Sequence, residues 1–337
     1  MPERPEPDLL HDVLKRVSRS FYLTLRALPG QIRPQIGLAY LLARTADTIA
    51  DSARIPVESR LDSLRLYRDA IASSRSNPLR FEALAARQTD EAERILLLRA
   101  SEGLELLSSL EVNDQALVKE VLSTITSGQV LDLLRFGTAS EGQVLALREG
   151  TELDDYTYRV AGCVGDFWTK MCLSHLSPPY LGDREGLLEN GVRFGKGLQL
   201  VNVLRDLPRD LAAGRCYLPA EDLKSAGLIP SDLLNLANAR KLSPVFGTWR
   251  QCAMDHLEAG WNYTMALPRS WVRVRLACSW PVLIGLRTLN LLAGPPNLDA
   301  ARRPKASKAD VRSILLKTVL WYPFPSRWRD LFATLHK

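Results

Sequence analysis

Asn202, Asp206 and Asp210 stand at intervals of four in GKGLQLVNVLRDLPRDLAAGRCYLP, the stretch from Gly195 to Pro219. On a helix that spacing puts side chains on one face, each about 6 Å further along the axis. Two carboxylates so placed repel one another, and the arrangement makes chemical sense if a divalent cation lies between them. Mg²⁺ prefers oxygen ligands and typically takes one or two carboxylates plus substrate phosphate. A second stretch, LLARTADTIADS at Leu41–Ser52, carries Asp47 and Asp51 at the same spacing. Arg44 and Arg205 stand beside the two pairs. Together they suggest a diphosphate held by metal between facing helices.

A lone D-x-x-x-D is more often a solvated helix face. Here Asp47 follows QIGLAYLLART and Asp206 follows LQLVNVL and Arg205. Neither lies on a clearly polar helix, and ionised groups on largely apolar helices need partners. Arg44, Asp47 and Asp51, at i, i+3 and i+7, form one stripe. In that stripe an arginine can take phosphate oxygens through its planar fork while the carboxylates take the metal. Asn202, Arg205, Asp206 and Asp210 form the corresponding set. Pro208 lacks an N–H for the carbonyl of Leu204, which predicts a helix break inside this second motif.

Four stretches in order and spacing carry a family resemblance: SRSF at Ser18–Phe21, ARTADTIAD at Ala43–Asp51, YTYRVAGCVG at Tyr156–Gly165, and QLVNVLRDLPRD with GRCYLP at Gln199–Pro219. From about Ser18 to Asp310 the chain resembles the head-to-head trans-prenyl synthases of the squalene/phytoene synthase family, most like a bacterial-type squalene synthase. The resemblance implies an all-α isoprenoid synthase bundle around a central cavity. It implies metal binding by Asp47, Asp51, Asp206 and Asp210, and diphosphate binding by Ser18, Arg19, Arg44, Asn202, Arg205 and Arg215. Read alone, Ser18 and Arg19 would be a surface cap and Arg215 an exposed loop residue.

In TYRVAGCVG, Tyr158, Gly162 and Gly165 share a helical stripe. Glycines cost about 1 kcal/mol each in a helix interior. Close helix packing accounts for them as well as a smooth wall for a prenyl chain does. The resemblance favours Tyr158 as a catalytic group, stabilising cationic charge with its ring or assisting proton transfer to departing diphosphate. Arg159 stands where some squalene synthases carry tyrosine. Phe21, Tyr40, Gly162, Gln199 and Trp280 are the expected prenyl pocket, although such residues at helical spacing are more often plain core.

The elements that must position these groups read as helix almost throughout, because apolar residues recur at three and four. A long helix is expected over about 31–50, with Pro34 in its first turn. Others are expected from Val57 to about Ala72, over 90–110, from an Asn113-Asp114 cap to about Phe136, from Glu152 to about Leu173, and from Glu185 to Leu207. Further helices should cover about 245–265, 272–292, where Trp280-Pro281 should interrupt, and 308–321. Pro244 should mark a short element. No linker argues for independent domains, so the chain reads as one domain over 1–337, with an N-terminal extension at about 1–17 and a basic loop at 294–307.

That loop, GPPNLDAARRPKAS, leads into a K-x-S-K-x-D-V run from Lys305 to Val311. Arg302, Arg303, Lys305 and Lys308 put four positive charges within seven residues. From charge alone this is a solvated loop. The resemblance places it in the segment implicated in NADPH binding, and the phosphates of NADPH need Lys or Arg where no Rossmann turn supplies backbone donors.

Composition bounds the rest. Hydrophobic residues make up 46% and charged residues 24%, which suits a globular chain with a large core. Runs free of charge are too short to span a bilayer at roughly 20 residues, and the Pro-rich, charged start lacks a signal-peptide core. The expected location is cytoplasmic, with at most peripheral membrane contact for product release. The scattered cysteines, Cys163, Cys172, Cys216, Cys252 and Cys278, show no ligand spacing and read as reduced core residues. The net charge of +6 comes without a nucleic-acid motif.

The expected reaction is condensation of two farnesyl diphosphates through presqualene diphosphate to squalene, with Mg²⁺ and NADPH. The alternative is phytoene, dehydrosqualene or presqualene diphosphate made without reduction. A further alternative is a non-catalytic helical assembly protein of the same fold, which need not retain the acidic pairs.

Overall fold

The structure is a computed structural model that describes residues 8–18, 21–52, 54–73, 79–140 and 142–336. Among these the chain is helical apart from turns, loops and a two-stranded parallel pairing of Leu145–Ala146 with Arg215–Cys216. The contacts gather into two compact units: 1–134 with 170–176, and 135–169 with 177–337.

In the first unit the Arg33–Ala50 helix is central. Leu38, Leu41, Leu42, Ala46 and Ile49 are buried along one face, at the three-and-four spacing of an amphipathic helix. Burying each leucine or isoleucine contributes about 1.5–3 kcal/mol. Pro34 lies in the first turn, where its missing N–H leaves no intrahelical bond unmade. The helix ends at Asp51, a few residues before Pro56, whose ring disfavours helical backbone at the residue preceding it. The buried Tyr67 hydroxyl donates to the Leu42 carbonyl (3.2 Å), which ties the Val57–Ser73 helix to it.

The Val112–Phe136 helix begins before Asn113-Asp114, so these residues are not its cap. Asp114 is buried instead. It accepts from Gln35 Nε2 (3.0 Å) and stands 2.7 Å from His175 Nε2, an opportunity for long-range partnering that local cap chemistry does not reveal.

In the second unit the Arg184–Ala212 and Ala239–Ala266 helices pack along their lengths, with Val272–Leu291 against both. Leu200, Val203, Leu204, Leu207, Leu257, Val282 and Leu286 are core residues there. The expected breaks at Pro208, Pro244 and Pro281 do not occur; all three prolines lie inside continuous helices. An interior proline costs about 3 kcal/mol, but Pro208 is buried among Leu204, Leu207 and Leu211. Their combined burial at about 1.5–3 kcal/mol each outweighs the cost of the proline. Asp206 and Asp210 therefore remain on one helix.

Backbone approach explains part of the YTYRVAGCVG motif. A Cβ on Gly165 would lie 1.8 Å from the Gly191 carbonyl oxygen, so this glycine permits direct contact with the Arg184–Ala212 helix. The α-helical stripe expected for Tyr158 and Gly162 is also locally altered, because Tyr158–Gly162 is a π-helical turn. Such turns are rare and recur at functional sites. After the Arg184–Ala212 helix the chain turns at Gly214 with φ of 77°, where a Cβ would meet Ser140 at 2.3 Å. That turn delivers Arg215 into the short strand pairing.

The Lys308–Trp321 helix starts at Ser307, whose hydroxyl accepts from the Asp310 N–H (3.0 Å) while Asp310 accepts from the Ser307 N–H (2.9 Å). The K-x-S-K-x-D-V run thus contains a capping box. A final helix, Pro325–His336, was not among the expected elements. Among the described residues no helix is long and apolar enough to cross a membrane. Four of the cysteines are buried and Cys252 is partly so, all with free thiols.

Candidate active site

The first acidic motif lies on the Arg33–Ala50 helix and its C-terminal cap. Arg44 is ion-paired to Glu93 and lies 4.0 Å from Asp47. Its Nε, buried, meets no acceptor. Asp47 also accepts from Gln129, on the Val112–Phe136 helix. Burial raises the Asp47 carboxyl, and the neighbouring Asp51 carboxylate adds to the effect; Arg44 and Gln129 oppose it, and the balance is about 6. The side chain nonetheless keeps 46% of its surface exposed, so solvent can still reach it. A buried carboxyl that resists ionisation beside a second acid is a place where a cation is favourable.

The second motif has the opposite electrostatics. Arg205 grips the Asp206 carboxylate through Nε and Nη2 (3.0 and 2.6 Å). Arg303, from the basic loop, grips the same carboxylate through the same two nitrogens (2.8 and 3.0 Å). Burial alone would raise this carboxyl, but the two guanidiniums outweigh it and hold the group below the usual range. Asp210 is 3.6 Å from Arg215 Nη2. Asn202 donates to Gln199 Oε1 (3.3 Å), and Gln199 donates to the Tyr156 hydroxyl (3.2 Å). The Tyr156 ring stacks on Tyr217 at 4.5 Å between centroids.

Tyr158 is 40% exposed, with the Lys196 ammonium 5.9 Å from its ring centroid. Lys196 also bonds both oxygens of Asp154 (2.7 and 2.8 Å). Arg159 is bound to Asp155, one turn earlier (2.8 Å). A Cβ on Gly162 would meet Tyr158, Lys196 and Val192 side chains at 3.2–3.4 Å.

Ser18 is buried and donates back to the Leu14 carbonyl (2.5 Å), while Arg19 lies outside the described residues. Phe21 and Tyr40 stack at 4.9 Å, and the Tyr40 hydroxyl donates to the Val17 carbonyl (3.4 Å). Trp280 donates to Thr318 Oγ1 (2.9 Å), tying the Val272–Leu291 helix to Lys308–Trp321. In the basic loop Arg302 is 81% exposed and 3.5 Å from Asp299. Lys305 and Lys308 are exposed.

Sequence reasoning missed Glu93, Gln129 and the reach of Arg303 to Asp206. Gln129 left only a weak signal, a polar amide just before the largely apolar run VLDLL. Glu93 left none, since its helix is already acidic at its start, where the helix dipole favours acids.

Among the described residues no group of three or more His, Cys, Asp or Glu side chains forms a metal cage. The donors present suit the partial coordination common for Mg²⁺, one or two carboxylates completed by substrate phosphate. Asp206 already attracts two guanidinium cations, and burial beside Asp51 leaves the Asp47 carboxylate in need of further positive charge.

Known proteins resemble this chain over most of its length. The squalene/phytoene synthase family profile matches residues 14–310. A bifunctional lycopene cyclase/phytoene synthase of Colletotrichum graminicola is 31% identical over 72% of this chain and 39% of its own length. Botryococcus squalene synthase, from Botryococcus braunii, is 26% identical over 86% of this chain and 58% of its own. The chain thus spans about two fifths to three fifths of these curated relatives. In fold, a structure of TcSQS with ligand matches with a TM-score of 0.73 at 20% identity, over 97% of this chain and 95% of that one. The helical fold is that of the isoprenoid synthases, and the chain belongs to the squalene/phytoene synthase family.

Proposed function

We infer that this chain is an Mg²⁺-dependent prenyltransferase, working in the cytoplasm, that joins two farnesyl diphosphates head to head and reduces the product to squalene with NADPH. One observation carries the reading. Arg303, in the basic loop, is bound to Asp206, in the second acidic motif. That contact supports the reading, because the resemblance gives the basic loop to NADPH and Asp206 to the metal that would hold diphosphate.

Arg44, Arg205 and Arg215 would take diphosphate oxygens through their planar forks, with Asn202 as a neutral donor. Asp47 and Asp51 in the first motif, and Asp206 and Asp210 in the second, would hold Mg²⁺, which when bound would supply positive charge against a leaving diphosphate. Ionisation of one substrate leaves an allylic cation. The double bond of the second substrate attacks it, and loss of a proton closes the cyclopropane of presqualene diphosphate. Tyr158 would help pass that proton toward the departing diphosphate. A second loss of diphosphate and rearrangement would leave a further cation, and NADPH, held by Arg302, Arg303, Lys305 and Lys308, would supply the hydride that ends the reaction at squalene.

A reading without reduction has its own support. The Colletotrichum relative is named a bifunctional lycopene cyclase/phytoene synthase. Incubation with farnesyl or geranylgeranyl diphosphate and Mg²⁺, with and without NADPH, followed by mass analysis of the hydrocarbon, separates the two. Squalene formed only with NADPH supports the first reading. The same product with and without NADPH replaces it with the second.

A further inference from the structure

In the second unit, remote in sequence from both acidic motifs, three guanidiniums surround one cavity. Arg269, Arg275 and Arg329 line a space of about 180 Å³, closed by Tyr322, Trp328 and their neighbours. No carboxylate lines it. Among the described residues, none of the three arginines has an ion-pair partner.

Arg275 is only 4% exposed. The Trp328 ring centroid lies 4.8 Å from its guanidinium carbon and the Tyr322 centroid 5.7 Å away. Its Nη1 donates to the Leu267 carbonyl (3.3 Å) and its Nη2 reaches Met265 Sδ (3.5 Å). Its Nε is buried and meets no acceptor. Burial disfavours its charged form; Tyr322 opposes this, Arg269 adds a smaller repulsion, and burial prevails. A buried charge without a counter-ion is costly. The arginine fork matches a phosphate group, with its several acceptor oxygens, better than any other common anion except carboxylate.

The neighbouring surface indicates which phosphate. The Lys308–Trp321 helix buries Ile314 and Thr318 on one side. On the other it exposes Leu316, Val319 and Leu320, at 60%, 51% and 57%, with Phe324 following at 53%. The first three are one stripe, at i, i+3 and i+4. Lys317 and Arg327 flank the row, over the rings of Trp321 and Phe324 at 5.9 and 5.6 Å. Tyr322 and Pro325, at the end of the row, are cavity-lining residues. An exposed apolar row with basic flanks is the pattern of a helix lying at an anionic lipid interface.

We propose that the Arg269–Arg275–Arg329 cavity receives the headgroup phosphate of an anionic phospholipid, while Leu316, Val319, Leu320 and Phe324 dip into the acyl boundary beside it. The proposal locates a membrane-docking face and does not depend on which hydrocarbon the chain makes.

Co-sedimentation of the full chain with vesicles tests it. Binding is expected to vesicles containing phosphatidylglycerol and to be about tenfold weaker to phosphatidylcholine alone. Arg329→Glu, at an exposed position, and the double variant Leu316→Ser/Leu320→Ser should each weaken binding about tenfold with melting temperature retained. Arg240→Glu, an exposed charge reversal elsewhere, should stay within about twofold of the parent. Equal loss in Arg240→Glu would mean diffuse attraction and overturn the pocket. Parent-like binding by Arg329→Glu, or by the leucine double variant, would overturn it too. Inorganic diphosphate provides the other arm. If it raises the melting temperature through Arg329 while vesicles are not bound, the occupant is a free anion and the lipid proposal fails.

Discussion

Asp47 and Asp206 present the same carboxylate in opposite fields, and the difference has consequences for stability. Asp47 is pushed up to about 6 by burial and by Asp51, above the ordinary unfolded value of about 3.9. Between those values the folded chain binds more protons than the unfolded one, so this group's contribution to stability falls as pH rises through the window. Asp206 is depressed by Arg205 and Arg303. Its contribution is present above the unfolded value and is lost as pH falls through the folded one. In metal-free protein, Asp47→Asn should therefore melt about 1–2 °C higher than the parent at pH 7.5 and no higher at pH 4. That corresponds to about 1 kcal/mol after discounting for the half-exposed side chain. Asp206→Asn should melt lower at pH 7.5, since two guanidiniums lose their carboxylate. Both should lose turnover by orders of magnitude. Thermal melts with chelator, beside product assays under limiting Mg²⁺, check the pair; an Asp206→Asn protein with parental turnover would sink the metal assignment. Tyr158→Phe should slow formation of presqualene diphosphate in single-turnover measurements. Slowing of only the reductive step would remove Tyr158 from the first half-reaction.

Among the elements, the packing of the YTYRVAGCVG turn against the Arg184–Ala212 helix is the least tolerant of added volume. Gly165→Ala would drive a methyl into the Gly191 carbonyl, and the neighbour is backbone, which cannot rotate away. A loss of about 2–3 kcal/mol is expected, readable as a lower urea midpoint with unchanged slope; a neutral outcome would show that the helices separate freely. The basic loop gives the other test at this scale. Its Ser307–Asp310 capping box and the ion pair from Arg287 to Asp310 (3.1 Å) fix the start of the last-but-one helix. Lys305 and Lys308 are exposed beside it and are not parts of that cap. Replacing both with Ala should leave presqualene diphosphate synthesis nearly intact and lower squalene yield several-fold, with unreduced products accumulating. Equal loss of both steps would mean that the lysines serve diphosphate rather than NADPH.

For the whole molecule, the net charge of +6 bears on the encounter with the diphosphate substrate proposed for it. Positive potential raises the local concentration of diphosphate and is screened by salt over about 10 Å at 0.1 M. The apparent KM for farnesyl diphosphate should rise several-fold between low salt and about 0.3 M at fixed free Mg²⁺, with kcat little changed. A salt-independent KM would confine substrate attraction to the immediate motif residues.

The helical class was legible from local pattern, because apolar spacing at three and four is written in every long segment. The bounds of Lys308–Trp321 were legible too, as was the first acidic stripe; the second read as broken at Pro208, and packing keeps Asp206 and Asp210 on one helix. What those stripes touch depends on long-range packing. Gln129 reaches Asp47 across 82 positions, Glu93 reaches Arg44 across 49, and Arg303 reaches Asp206 across 97. Local propensity carries no information about such pairings. It also misjudged Pro208, Pro244 and Pro281 as breaks, because the apolar burial that carries each helix through its proline comes from neighbouring helices. The three arginines at 269, 275 and 329 likewise belong to separate segments, and only the packing of those segments makes them walls of one cavity.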